Sequence, residues 1–406
     1  MAERSTPATV ESHTLTPGEA HRLWNWVLAR QGLAPHTRQA SVEAIAQAAL
    51  GLHAARLPSP FATAAARATD PAVALSLFDP ATRGRLVTLR CMRKTLHMLP
   101  LDLAAAAHAA TLHFRERDAL RALVNAGLDE TRLAAASRAL VDLLGETGPM
   151  FHRDIETRLA ATAIPAPMTR LALKLAWERG TLTYLNTAGG WNREVRTFAL
   201  TPDVCPGLDT RLPASVAVEQ LMSAYLDRYG PVSIRDATWW SGLSRAAVLA
   251  GLDRAAVKLV EVRAPWSTSP LYMSAERFTQ FTATSNADCM TGICLLAHED
   301  VALKAYFETR ARYLGDLAPS VAFNQIGEVL STVLLDGRVV GTWMWDQQAR
   351  RVRLRLVPRA APAEQRDQAR VAAAELTKVL RIGQAVGTRV SPDQMVLLPA
   401  SDALLS

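Results

Sequence analysis

His53 stands in the stretch GLHAARLPSP, residues 51–60, where an alanine-rich segment runs into Pro58 and Pro60. A neutral imidazole near its ordinary pKa can accept a proton or hold a water molecule, which is the equipment of a hydrolytic site. A histidine filling a core would have the same surroundings. Further on, between Pro80 and Leu101, come Arg83, Arg85, Arg90, Arg93 and Lys94 with no acidic residue among them. Two-residue periodicity puts Thr95 and His97 on one face of a strand there. Hydroxyl, imidazole and arginine together suit a phosphate or sugar edge. A charged solvent face on a packed segment would read the same way.

Other chemistries find no support in the spacing. There is no Walker loop, dinucleotide fingerprint, G-x-S-x-G elbow or H-E-x-x-H zinc motif. His298–Asp300, reading HED after apolar ICLLA, can orient a loop but is too short for a metal site. Cys289 and Cys294 form one C-x4-C pair, and Cys91 and Cys205 stand apart. Neither a zinc site nor a disulfide framework is expected, and no cofactor.

These residues sit in a chain of 406 residues, long enough for two to four domains. Nearly half of it is apolar and a fifth charged, the balance of a packed protein. The net charge of +7 suits a polyanionic partner. Residues 1–200 carry 23 Lys and Arg against 17 Asp and Glu, whereas residues 201–406 carry 22 against 21. A phosphate-facing surface therefore belongs mainly to the first half. Arginine far outnumbers lysine; its planar fork suits phosphate, and GC-rich codons would give the same excess. No apolar run is long enough to span a membrane. Residues 1–14 lack a secretory segment and read as a frayed polar tail, so a cytoplasmic location is expected.

The elements that must position the candidate residues show a repeat. GPMFHRD at 148–154 returns as GPVSIRD at 230–236, 82 residues later. Apolar positions at three- and four-residue spacing precede each copy, and further helical stretches follow. The first copy runs into a helix over Met168–Arg179, then two strand-like runs around Gly189 and Gly190. Helix, turn, helix, helix and hairpin is the order of a winged helix, although two unrelated helical hairpins could share four residues by chance. Trp239 and Trp240 suit a base-stacking platform or, more in keeping with apolar helices, a domain interface.

Upstream, Thr16, Pro17 and Glu19 form a capping-box start. A second helix is expected over RQASVEAIAQAALGLHAARL, with His53 in its last turn or the loop after it. Near the end, Asp336-Gly337 between apolar runs predicts a hairpin. RRVRLRLVP predicts an exposed strand, and AEQRDQARVAAAELTKVLRIG an amphipathic helix.

CMRKTLHML, YGPVSIRDATWWSGL and TVLLDGRVVGTW, in that order, resemble the winged-helix DNA glycosylases of the AlkZ/YcaQ type, from about Leu15 to the end. The resemblance implies an α+β, mainly helical fold: tandem winged-helix modules followed by a small β-barrel-like C-terminal domain, wrapped as a C around duplex DNA. The chain then divides into a disordered tail (1–14), a first winged-helix-like module with the candidate site (15–115), a second (116–204), a third (205–285), and a barrel-like domain with a terminal helix (286–406).

The resemblance also implies a monofunctional, metal-free enzyme, expected as a monomer. It would excise bulky N7-alkylated purines or crosslinks from double-stranded DNA, a role in repair or antibiotic self-resistance. In such proteins a polar-apolar-polar triplet holds the hydrolytic water. His53 takes its first polar position here and Ala55 the second, which leaves His53 as the catalytic candidate. Arg56, Arg93, Lys94, Thr95, His97, Arg193 and Arg196 are the DNA-binding candidates, with the hairpin around Asn186–Glu194 as a probe into a groove. The rivals are a non-catalytic DNA-binding sensor or regulator and a scaffold that binds another protein.

Overall fold

The computed structural model describes residues 11–125, 127, 129–358 and 360–384. Residues 1–10 of the expected tail, and the last part of the expected C-terminal domain from 385 on, lie outside the described residues. The rest of that tail is ordered. Glu11–Thr14 is a strand, parallel to Leu259–Arg263 with Glu11 opposite Val260. It covers a sheet edge whose backbone groups would otherwise lack partners. The His13 ring stacks on Phe278 at 4.1 Å.

Thr16 caps the helix Pro17–Leu28 through a full capping box with Glu19. The next helix is shorter than its sequence pattern suggests, Val42–Ala48. Leu50 (φ 56°) and Gly51 (φ 95°) turn the chain out of it. Gly51 holds a positive φ that glycine adopts without strain, and a Cβ there would press on the Leu99 side chain. His53 therefore lies in neither a last helical turn nor a loop. It is half of a two-residue strand, Leu52–His53, paired with Leu96–Pro100, which in turn pairs with Leu86–Arg90.

The repeat is real in three dimensions. Met150–Phe151 pairs with Arg196–Leu200, and Val232, at the same offset in the second copy, bridges Tyr272. Both copies run through a long helix (Glu130–Thr147; Ala214–Tyr229), two shorter ones, then antiparallel strands. The two aspartates of the motif have different fates. Asp154 is exposed in a first turn, whereas Asp236 is fully buried and accepts hydrogen bonds from the amides of Phe307 and Glu308 at 2.7 Å each.

The last sheet has four antiparallel strands, Ile293–Leu296, Thr332–Leu335, Arg338–Asp346 and Arg351–Leu356, with open edges. Among the described residues it does not close into the barrel-like domain that the resemblance implies. Four strands are too few to close around a filled interior. Instead the helix Ala363–Ile382 covers the sheet, burying Ala369, Ala373 and Leu380 in the same core as Trp343 and Trp345. The predicted hairpin turn is present, with Asp336 and Gly337 both left-handed. The Trp24 indole donates to the Gly337 carbonyl at 2.7 Å, so this turn is seated on the first helix.

Three cores result. One lies within residues 119 to 200. A second joins residues 42 to 86 to the last sheet and helix. The third joins the first helix to residues 205 to 339. The chain around His53 is thus packed between parts far apart in sequence. Among the described residues no helix is long and apolar enough to cross a membrane.

Candidate functional site

His53 and His97 are direct cross-strand partners on one face of the small sheet. Their rings meet edge to face, with centroids 5.3 Å apart, and both are buried. Leu52 and Met98 alternate to the other face, where Leu52 joins a buried core and Met98 lines a separate cleft with Phe61, Phe78 and Tyr184.

The opposite wall comes from HED. Lys304 Nζ donates to His53 Nε2 at 2.7 Å and also pairs with Glu299. Glu299 Oε2 lies 3.7 Å from His53 Nε2, and its Oε1 accepts the Val329 amide at 2.7 Å. Asp300, fully buried, takes Arg67 in a fork of 2.9 and 2.6 Å and caps the short helix Val301–Lys304. Arg67 ends the helix Pro58–Arg67 that begins just beyond His53. The buried fork therefore ties the HED segment to the chain that carries His53.

Burial first, then the Lys304 ammonium, holds the His53 imidazole well below its ordinary pKa. Burial also brings His97 down to about 3. Both rings are neutral at physiological pH. Lys304 is itself lowered by burial, which the Glu299 carboxylate opposes. The sign of the pH dependence follows. Below about 6.5 the unfolded imidazoles take up protons and the folded ones do not, so these histidines cost stability as pH falls from there toward 3. Chemical denaturation between pH 7 and 4 is expected to show a steeper loss in the wild type than in a His53→Gln/His97→Gln variant. Equal slopes would place the rings in solvent.

The other expected site residues divide. Arg93 borders the histidines: with His97, Lys304, Leu50, Met92, Trp240 and Val301 it lines a narrow cavity. Its guanidinium lies 3.6 Å over the Trp239 ring, which stacks on Phe307. Trp240 is buried against Tyr225, so the tryptophan pair builds an interface. Thr95 is not on the strand; Arg93 and Lys94 adopt left-handed conformations, and the strand starts at Leu96. The Thr95 carbonyl lies 3.1 Å from His97 Nδ1, and its hydroxyl donates to Met92 at 3.0 Å.

Arg56 pairs with Glu328 at 2.8 Å. The His298 imidazole, Arg56 and the Asn324 amide hold that carboxyl down at about 2. Lys94 is on the surface, paired with Asp118. Arg193 and Arg196 are exposed on the Leu182–Asn186/Arg196–Leu200 hairpin, whose first strand packs against Leu86–Arg90 across the cleft on the side of the sheet opposite the histidines. The hairpin loop is anchored: the buried Trp191 indole donates to the Leu380 carbonyl at 2.7 Å. Among the described residues no cluster of His, Cys, Asp and Glu could hold a metal ion.

Sequence reasoning missed Lys304 and Glu299. HED was visible, but nothing in the chain signalled that Lys304, just after it, would meet a histidine 251 positions away.

A family model described as DNA glycosylase AlkZ-like matches residues 5–381. Among solved structures, the DNA glycosylase AlkZ of Streptomyces sahachiroi is similar, with a TM-score of 0.72 at 21% sequence identity. The match covers 90% of this chain and 97% of that one. No curated protein sequence matches the chain.

Proposed function

The chain belongs to the AlkZ-like DNA glycosylase family, and from that premise we propose that it hydrolyses the N-glycosidic bond of bulky N7-alkylated purines in duplex DNA. The observation that carries this reading is the family match over residues 5–381, nearly the whole chain. The repeated helix-helix-helix-strand order supports reading 116–204 and 205–285 as winged-helix modules, with the sheet and helix after 286 as a separate C-terminal unit. The working form is a cytoplasmic monomer without metal, and its role is repair of, or self-resistance to, a DNA-alkylating natural product.

Alkylation at N7 makes the purine cationic. When the bond from the anomeric carbon to N9 breaks, both electrons go to the base, which leaves neutral and needs no proton. The sugar becomes an oxocarbenium-like cation, which water captures with release of a proton, leaving an abasic site. His53, neutral where the family places its water-holding triplet, is the residue that handles this water. Ala55 adds no second polar group. Arg93, with its charge at the cavity mouth, holds a backbone phosphate. His97, Thr95, Lys94, Arg56, Arg193 and Arg196 are the further contacts to the duplex.

Arg93→Ala is expected to weaken duplex binding and reduce the slope of log affinity against log salt by about 1. An unchanged slope removes Arg93 from the interface. The enzyme reading is tested by incubating the chain with duplex oligonucleotides carrying N7-alkylguanine and cleaving abasic sites with alkali.

A second reading is a damage sensor that binds DNA without cutting. It is favoured by one observation: His53 is only 2% exposed, and its Nε2 is already engaged by Lys304. Tight, salt-dependent binding without alkali-labile breaks would establish it.

A further inference from the structure

Nothing in the sequence links Lys304 to His53, yet its ammonium is the strongest polar contact the ring makes. We propose that Lys304, held by Glu299, is a positioning residue that fixes His53 as the Nδ1–H tautomer, so that the ring meets its water as a hydrogen-bond donor from the Nδ1 edge. The inference rests on reading His53 as the water-handling residue.

A lysine ammonium has three donors and no acceptor. At 2.7 Å from Lys304 Nζ, His53 Nε2 must therefore be the acceptor. A neutral imidazole carries one proton, which then sits on Nδ1. The ammonium cannot swing away. Glu299 Oε2 holds it, and Glu299 is pinned in turn because its Oε1 accepts the Val329 amide. His53 Nδ1 is buried and meets no protein acceptor. Buried donors of that kind are rare and costly, and one on a ring packed edge to face against His97, which lines the narrow cavity with Lys304 and Arg93, is suited to an oxygen that belongs to the reaction.

The charged and titratable groups facing the ring reinforce its neutrality. His298 and Glu299 come from the HED segment, Lys304 from the short helix that follows it, His97 from the neighbouring strand, and Arg93 from the turn before that strand. Apart from Glu299, which is spent on Lys304, they oppose a second proton on the imidazole. A donor is sufficient for the chemistry. Water that accepts from Nδ1–H keeps a lone pair for the anomeric carbon, and the oxocarbenium needs no stronger nucleophile; the proton lost once the C–O bond forms passes to bulk solvent, not to the ring.

Two-bond proton–nitrogen correlation spectra of the full chain labelled with 15N-histidine test this, with His53→Gln giving the assignment. The expected wild-type result is a neutral Nδ1–H ring from pH 8 to 6. Lys304→Met alone would strand a buried carboxylate, so the informative variant is Glu299→Gln/Lys304→Met. In it the ring is expected to populate the Nε2–H tautomer, and the acidic limb of the rate of base release to move upward while staying below the ordinary imidazole value, because burial, the larger cause of the lowered pKa, remains. A merely structural Lys304 would lower the rate at every pH alike.

Two spectral results overturn the proposal: a wild-type ring carrying its proton on Nε2, or a tautomer unchanged in the double variant. So does a borohydride-trapped link between Lys304 and the sugar, which would make the lysine a nucleophile. A locked Nδ1–H tautomer in a chain that releases no base supports the assignment of the ring while overturning the proposed activity.

Discussion

His53→Ala is expected to abolish alkali-labile breaks at N7-alkylguanine, slowing base release by about 100-fold or more, the usual contribution of a positioned acid–base or water-holding group. Ala55→Gln is expected to retain activity, since it adds a polar group at the second triplet position without touching the first. His53→Gln is expected to keep part of the rate, because a carboxamide can still accept from Lys304 and donate from its own NH2. DNA binding by all three should show the wild-type salt slope, because His53 is buried and none of the three changes removes a cation from the surface. Breaks that persist undiminished in His53→Ala would sink the assignment. An unaltered melting profile in that variant is the control that separates lost chemistry from lost fold.

The second large effect is on stability. Arg67 and Asp300 are both fully buried and form a two-pronged pair. Asp300→Ala leaves a guanidinium in the interior without its counter-charge, which costs about 3–5 kcal/mol. Urea denaturation followed by tryptophan fluorescence should show the midpoint falling accordingly. Replacing both residues, Arg67→Met/Asp300→Leu, removes the stranded charge and should recover most of the loss. A single variant as stable as the wild type would mean that water reaches the pair. The fork fastens the HED segment to the helix after His53, so Asp300→Ala should also loosen the Lys304–His53 contact and depress activity before the chain unfolds.

How much was legible in the sequence depends on whether the signal was local. The capping box at Thr16, the Asp336-Gly337 turn, the terminal amphipathic helix and the doubled GP-x-x-x-RD motif all rest on neighbours within a few residues. All four are present. The second helix was overrun because its alanine-rich periodicity continues past Ala48, while Leu50 and Gly51, both at positive φ, turn the chain out of it. Thr95 was placed on a strand by two-residue alternation, although the left-handed pair Arg93 and Lys94 breaks that alternation just before it. The barrel was expected by resemblance, but among the described residues the number of strands and the covering helix leave an open sheet.

By itself the sequence determined which residues were able to act, where helices begin and turns fall, and that a module is repeated, because those properties come from side-chain chemistry and short-range backbone geometry. Only the tertiary structure decided what His53 touches. Its partners Lys304 and Glu299 arrive from the far half of the chain, brought there by shared apolar cores and a buried ion pair, and no periodicity along a chain encodes a contact made by packing.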